Sequence, residues 1–144
     1  MGELDSITAT TFLLADHAEA VNGKLYVIGG AFDHLLAPAA PAAHAHLCVA
    51  AVLGIPWLAM DRRHDIALHV TDEDGQPVIP AITGALEPAR HDGLRDGDTM
   101  HVPLVFSLNA LTFTQFGDYR FELAVDGTTV AIAPLRLQQA EAPA

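Results

Sequence analysis

A chain of 144 residues and 15.3 kDa is long enough for one domain with an ordinary core, and 51 % hydrophobic against 17 % charged residues is the reverse of a disordered composition. Eighteen acidic residues against seven Lys and Arg leave a formal net charge of −11, and Lys24 is the only lysine. Nothing here supplies the clustered cations that hold nucleic-acid phosphates or an anionic membrane surface, so neither partner is expected.

Residues 8–15 are rich in Thr, Phe and Leu and read as a first strand, which residues 16–21 continue or bend away from. Asn22-Gly23 is a type I′ turn signal, because both residues tolerate the positive φ which that turn demands. Residues 24–28 return as a second strand, and Gly29-Gly30 at its end mark a bulge or a close backbone approach. Residues 37–43, punctuated by Pro38 and Pro41, cannot form a regular strand and carry the chain stiffly from one sheet to the other. Residues 45–53 form a third strand, apolar on both faces. Pro56 forces an exit, and Trp57 caps the core from the connection.

Residues 64–71 alternate cleanly, with Ile66, Leu68 and Val70 inward. Asp72-Glu73-Asp74-Gly75 is a turn. Residues 77–86 read as a weaker strand that Pro80 pushes to a sheet edge, and residues 87–98 as a long polar loop. Residues 100–109 alternate again, with Val102, Leu104, Phe106 and Leu108 inward. Tyr119, Phe121, Leu123 and Val125 alternate with Arg120, Glu122 and Ala124, and Asp126-Gly127 turns this strand into a last one ending near Gln139. Residues 140–144 read as a frayed tail.

About eight strands without a helix-period segment predict an all-β fold: an immunoglobulin-like antiparallel β-sandwich, with residues 1–144 forming one domain. The Cys–Trp–Cys framework of antibody domains is absent. Tyr119, two residues before an inward Phe121, is placed either as the tyrosine corner of such sandwiches or as a plain core aromatic. Met1-Gly2-Glu3-Leu4-Asp5 has no basic n-region, so no secretory signal is expected. The longest apolar run, residues 47–60, is short for a bilayer span and is broken by Gly54 and Pro56. A single cysteine, Cys48, forms no internal disulfide and reads as a small buried thiol. The cytoplasm is the expected location.

The segment Leu14-Ala15-Asp16-His17-Ala18-Glu19-Ala20-Val21-Asn22-Gly23-Lys24-Leu25-Tyr26-Val27-Ile28-Gly29-Gly30 resembles an L-x-D-x-A-x-x-x-N-G-K-L-Y-x-x-G-G signature. That signature belongs to an uncharacterised bacterial family of small single-domain proteins, a domain of unknown function. Ile55-Pro56-Trp57, Asp72-Glu73-Asp74-Gly75 and Phe116-Gly117-Asp118-Tyr119 fall where its other recurring segments do. The resemblance implies a single-domain β-sandwich and transfers no activity.

Eight histidines invite a metal hypothesis. His44 and His46, two apart, would share a strand face, with His64, His69, His91 or His101 as a third ligand; no H-E-x-x-H or C-x-x-C supports it, and the plainer reading is histidines on a strand face. Asp72 and Asp74 look like a fragment of a calcium loop, but twelve positions into such a loop stands Thr83 where a Glu is needed, so a solvated turn is the simpler account. Aspartates at loop ends, Asp33, Asp61, Asp72 and Asp74, offer another cation site if they cluster. Asp16 and His17 lack a nucleophile: neither Ser6 nor Ser107 lies in a G-x-S-x-G elbow, and Asp16 reads as a backbone hydrogen-bonding residue. Gly29-Gly30 is no phosphate cradle, since neither a helix nor Lys-Ser/Thr follows.

The remaining candidate is apolar surface. Val105, out of phase with its strand, Leu111, Phe113 and Phe116 after it, and Leu135 and Leu137 beyond Pro134 are expected either to form an interaction patch or to be covered by loops. The leading expectation is therefore a non-enzymatic cytosolic β-sandwich acting through protein–protein contacts, as a homo-oligomer or accessory subunit, with no cofactor. A small-molecule or divalent-metal-binding module is the alternative, and an enzyme is the third.

Overall fold

The computed structural model describes residues 6–141, and the tail and first residues discussed above lie wholly or largely outside that range. Both Xaa-Gly turns fold as their residues demand. Asn22 and Gly23 take φ of 51° and 74°, and Asp126 and Gly127 take 51° and 80°. They join β1 (Thr8–Val21) to β2 (Lys24–Gly30) and β8 (Gly117–Val125) to β9 (Thr128–Gln139). Between them run β3 (His34–Ala37), β4 (Ala42–Pro56), β5 (His64–Thr71), β6 (Ile82–Leu86) and β7 (Thr99–Phe113).

The strands form two sheets, ordered β2-β1-β4-β7 and β3-β9-β8-β5-β6. Strands β1, β4 and β7 take the places of A, B and E in an immunoglobulin sandwich, and β5, β8 and β9 those of C, F and G. The proline segment crosses from β3 in the second sheet to β4 in the first. Tyr119, at the start of β8, donates its hydroxyl proton to the Gln115 carbonyl at 2.6 Å, which is the tyrosine corner. Nine strands stand where about eight were expected. The second sheet is mixed rather than wholly antiparallel, because the short β3 lies parallel to β9. Residues 77–81 stay out of the sheet apart from one bridge, so β6 is a five-residue edge strand.

The core lies between the sheets, with Leu14, Leu47, Val49 and Leu53 facing Leu68, Val70, Phe121 and Leu135. Trp57 is partly buried against it, with the Arg90 guanidinium 3.9 Å above the ring. The expected interaction patch is corrected here. Strand β7 runs on to Phe113, and Ala110, at φ 55°, switches its inward phase from even residues (Leu108) to odd ones (Leu111, Phe113). A bulge at Val130, opposite Leu123/Ala124, does the same for β9: Val130 packs against the core at the bulge, and Ala133, Leu135 and Leu137 face in after it. Leu111, Phe113, Leu135 and Leu137 are thus core residues, and Phe116 packs against them.

The outer face of the first sheet has its own small cluster. Ala15, Ala18, Cys48 and Ala50 are buried there beneath Leu13, Leu25 and Val105. Small side chains let β2 lean back towards β4 and β7, which are not its hydrogen-bonded neighbours. Val105 is therefore packed under this curl rather than offered as free surface.

Candidate functional site

Strand β1 pairs with β4 only from Thr8 to Ala15, and with β2 from Ala15 to Val21. Residues 16–30 form a hairpin arm whose outer strand, β2, is a sheet edge. The arm holds Val21, Tyr26, Val27 and Ile28, all exposed; Tyr26 is 52 % and Ile28 66 % open to solvent. Gly29 is fixed by geometry: at φ 63°, a Cβ there would meet the Asp16 carboxylate. Asp16 thus lies over Gly29. Much of the signature segment encodes this hairpin.

Where the arm leaves β4, three side chains converge. His17 comes from β1, His46 and Cys48 from β4. His17 Nδ1 lies 3.4 Å from His46 Nε2, and Cys48 Sγ lies 3.4 Å from that same nitrogen. The far nitrogen of each ring faces an oxygen: His46 Nδ1 is 2.8 Å from Asn109 Oδ1 on β7, and His17 Nε2 is 3.1 Å from Glu19 Oε1. Cys48, His46 and Asn109 repeat the nucleophile–base–orienter order of cysteine hydrolases. The thiol, however, has no solvent exposure and sits against Ala18 O at 3.9 Å and Ser107 Oγ at 3.6 Å, so a substrate carbonyl has no approach to it.

The pairing of His44 with His46 is corrected. His44 sits opposite Leu111, past the Ala110 phase switch, and its ligand atoms do not join the cluster. Its place is taken by Cys48, which the same two-residue spacing puts on the face of His46, and by His17, which only the pairing of β1 with β4 brings beside them. His64 is spent inside the fold, with Nδ1 2.7 Å from Asp126 Oδ2 and Nε2 2.6 Å from the Ala59 carbonyl.

The four loop aspartates do not gather as a set: Asp33 and Asp72 line one surface cleft with Glu73 and Asp118, and Asp61 lies elsewhere. Asp61 precedes β5 and Asp72 follows it, at opposite ends of the strand. Asp72 Oδ1 accepts from the Asp74 and Gln76 backbone N–H groups, both at 2.9 Å, which makes it a turn residue. Asp61 accepts from Arg90 N–H, and Asp33 is held by His34 at 2.7 Å. Hydrogen bonding to His34 keeps the Asp33 carboxyl below its usual range, and the Arg136 guanidinium does the same for Asp118. No helix of the described residues is long and apolar enough to cross a membrane.

Comparison with known proteins adds a family. No curated protein matches the chain. Among solved structures, an alkylpurine DNA glycosylase, AlkC, from Pseudomonas fluorescens is 11 % identical, with a TM-score of 0.42 over 92 % of this chain and 30 % of that one. A beta-glucosidase from Listeria innocua is 11 % identical, TM-score 0.44, over 94 % and 16 %. The CARDB domain of the PF1109 protein from Pyrococcus furiosus, in complex with di-metal ions, is 12 % identical, TM-score 0.43, over 96 % and 98 %. The chain thus spans under a third of the first two proteins it resembles. One family model covers residues 10–138, nearly all of the sandwich and the whole hairpin arm, and the chain belongs to that family, a family of unknown function (DUF6941).

Proposed function

We propose that this chain is a non-enzymatic contact protein whose working surface is the β1–β2 hairpin arm, and that its partner there is a second copy of itself. The supporting observation is the concentration of exposed Val21, Tyr26, Val27 and Ile28 on one hairpin at a free sheet edge. An unpaired edge with apolar side chains is a template for strand addition. Between Lys24 and Gly30 the only charged residue is Lys24, so in a chain of net charge −11 this edge lets an identical molecule approach with little repulsion. Two β2 strands pairing antiparallel about a twofold axis give the closed, self-complementary interface of a homodimer.

Sedimentation velocity at tens of micromolar should show a dimer. Ile28→Lys, which puts a charge on the pairing face without touching the core, should weaken it by about tenfold or more, the loss expected when a central apolar contact becomes a buried charge. A strict monomer at high concentration overturns the reading, and so does a dimer that Ile28→Lys leaves intact.

A further inference from the structure

The His17–His46–Cys48 cluster sits at the base of the arm, with His17 opposite Ile28 across the hairpin. We infer that it is a binding site for one borderline-soft transition-metal ion of the zinc class, held by His17 Nδ1, His46 Nε2 and Cys48 Sγ. Each ring has its outer nitrogen turned to an oxygen acceptor, Asn109 Oδ1 for His46 and Glu19 Oε1 for His17. An N–H directed at an acceptor fixes the tautomer, so the opposite nitrogen carries a lone pair. With those tautomers His17 Nδ1 and His46 Nε2 are both acceptors, and they stand 3.4 Å apart, with the Cys48 sulfur 3.4 Å from the latter. Facing acceptors repel unless a cation or a shared proton lies between them. Outer-nitrogen hydrogen bonds of this kind are what orients metal-binding histidines.

The spacing agrees with a metal. Zn–N bonds of about 2.0–2.1 Å and Zn–S of about 2.3 Å at tetrahedral angles place two nitrogen ligands about 3.3 Å apart and a nitrogen and a sulfur about 3.6 Å apart. Both observed separations are 3.4 Å, and all three ligand atoms lie within 4.8 Å of one another. Two imidazoles and a thiolate suit zinc, cobalt or copper and disfavour calcium and magnesium, which take oxygen. The ion enters past His17, whose side chain is 45 % exposed, although Cys48 beneath it is closed to anything larger. Three protein ligands leave a fourth position for water or for a donor from outside. On binding, the cysteine S–H proton passes to solvent and the sulfur becomes a thiolate ligand.

The test uses the chelator-stripped full chain titrated with Co²⁺, then with Zn²⁺. One Co²⁺ should bind per chain, with tetrahedral d–d bands and a sulfur-to-cobalt charge-transfer band, and Zn²⁺ should displace it. Cys48→Ser should abolish the charge-transfer band. His17→Gln, at an exposed position that leaves the core untouched, should weaken Zn²⁺ by about tenfold or more, as the loss of a ligand requires, and His44→Gln should not. The proposal is overturned if no charge-transfer band forms or if His17→Gln binds as tightly as the parent.

Discussion

His64 is the one buried polar side chain among the described residues, and it is buried because both ring nitrogens meet oxygens. Asp126 does double duty: Oδ2 meets His64 and Oδ1 accepts from the Asp65 backbone N–H at 2.8 Å. The hydrogen bond from His64, then that from Asp65, hold the Asp126 carboxyl below its ordinary 3.8, against a smaller opposing effect of burial. A depressed carboxyl pKa stabilises the fold in full above the unfolded value, and that contribution is lost as pH falls from 3.8 through the lower folded value. Asp126→Asn should therefore cost about 1 kcal/mol at neutral pH, below the range for hydrogen bonds to charged groups because half the side chain is in water. Urea unfolding of both proteins at neutral pH and well below 3.8 checks it: the gap should close in acid, and a gap that persists would place its origin in packing. The sequence offered His64 only as one of four possible third metal ligands. Its partners lie 5 and 62 residues away, a separation that no local pattern encodes.

Strands were legible wherever one face is buried and the other wet, because the period of two then survives in the residues. Strand β5 has the bounds its alternation indicates, and both Xaa-Gly hairpins fall where positive φ is required. Legibility failed where the backbone changes phase. Ala110 at φ 55° is an alanine in a conformation that favours glycine, so nothing in its identity announces that Leu111 and Phe113 turn inward. The bulge at Val130 is equally silent, and both misplaced a core surface as an interaction patch. The tyrosine corner was visible as one of two readings. Tyr119 also receives the Gln115 N–H at 3.4 Å and packs edge-on against Phe113 with ring centroids 4.7 Å apart. Tyr119→Phe keeps that aromatic contact and deletes the hydroxyl alone, so it should cost about 1 kcal/mol, the worth of one net hydrogen bond. Chemical denaturation should show a lower midpoint at unchanged m-value; an unchanged midpoint would mean that the residue acts through its ring only.

At the scale of the molecule, the exposed apolar edge strand β2 carries a single charged residue, Lys24, while Asp16 and Glu19 lie on the strand it pairs with. The formal charge of −11 is spread over loops and outer sheet faces, while the largest group of exposed apolar side chains sits on an arm with one lysine in its outer strand. On the proposed contact, two copies repel at long range through their net charge and attract at short range through β2. Long-range repulsion depends on ionic strength: the Debye length falls from about 30 Å at 0.01 M salt to about 8 Å at 0.15 M. Backbone pairing and apolar burial along β2 depend on it far less. Self-association should consequently tighten severalfold as salt rises over that range, the reverse of an interface held by ion pairs. Sedimentation equilibrium at the two ionic strengths measures it directly. Tightening would agree with contact through the hairpin edge, whereas a dimer that loosens with salt would locate the contact on charged surface instead, with the groups around Asp118, Arg120 and Arg136 the first to substitute.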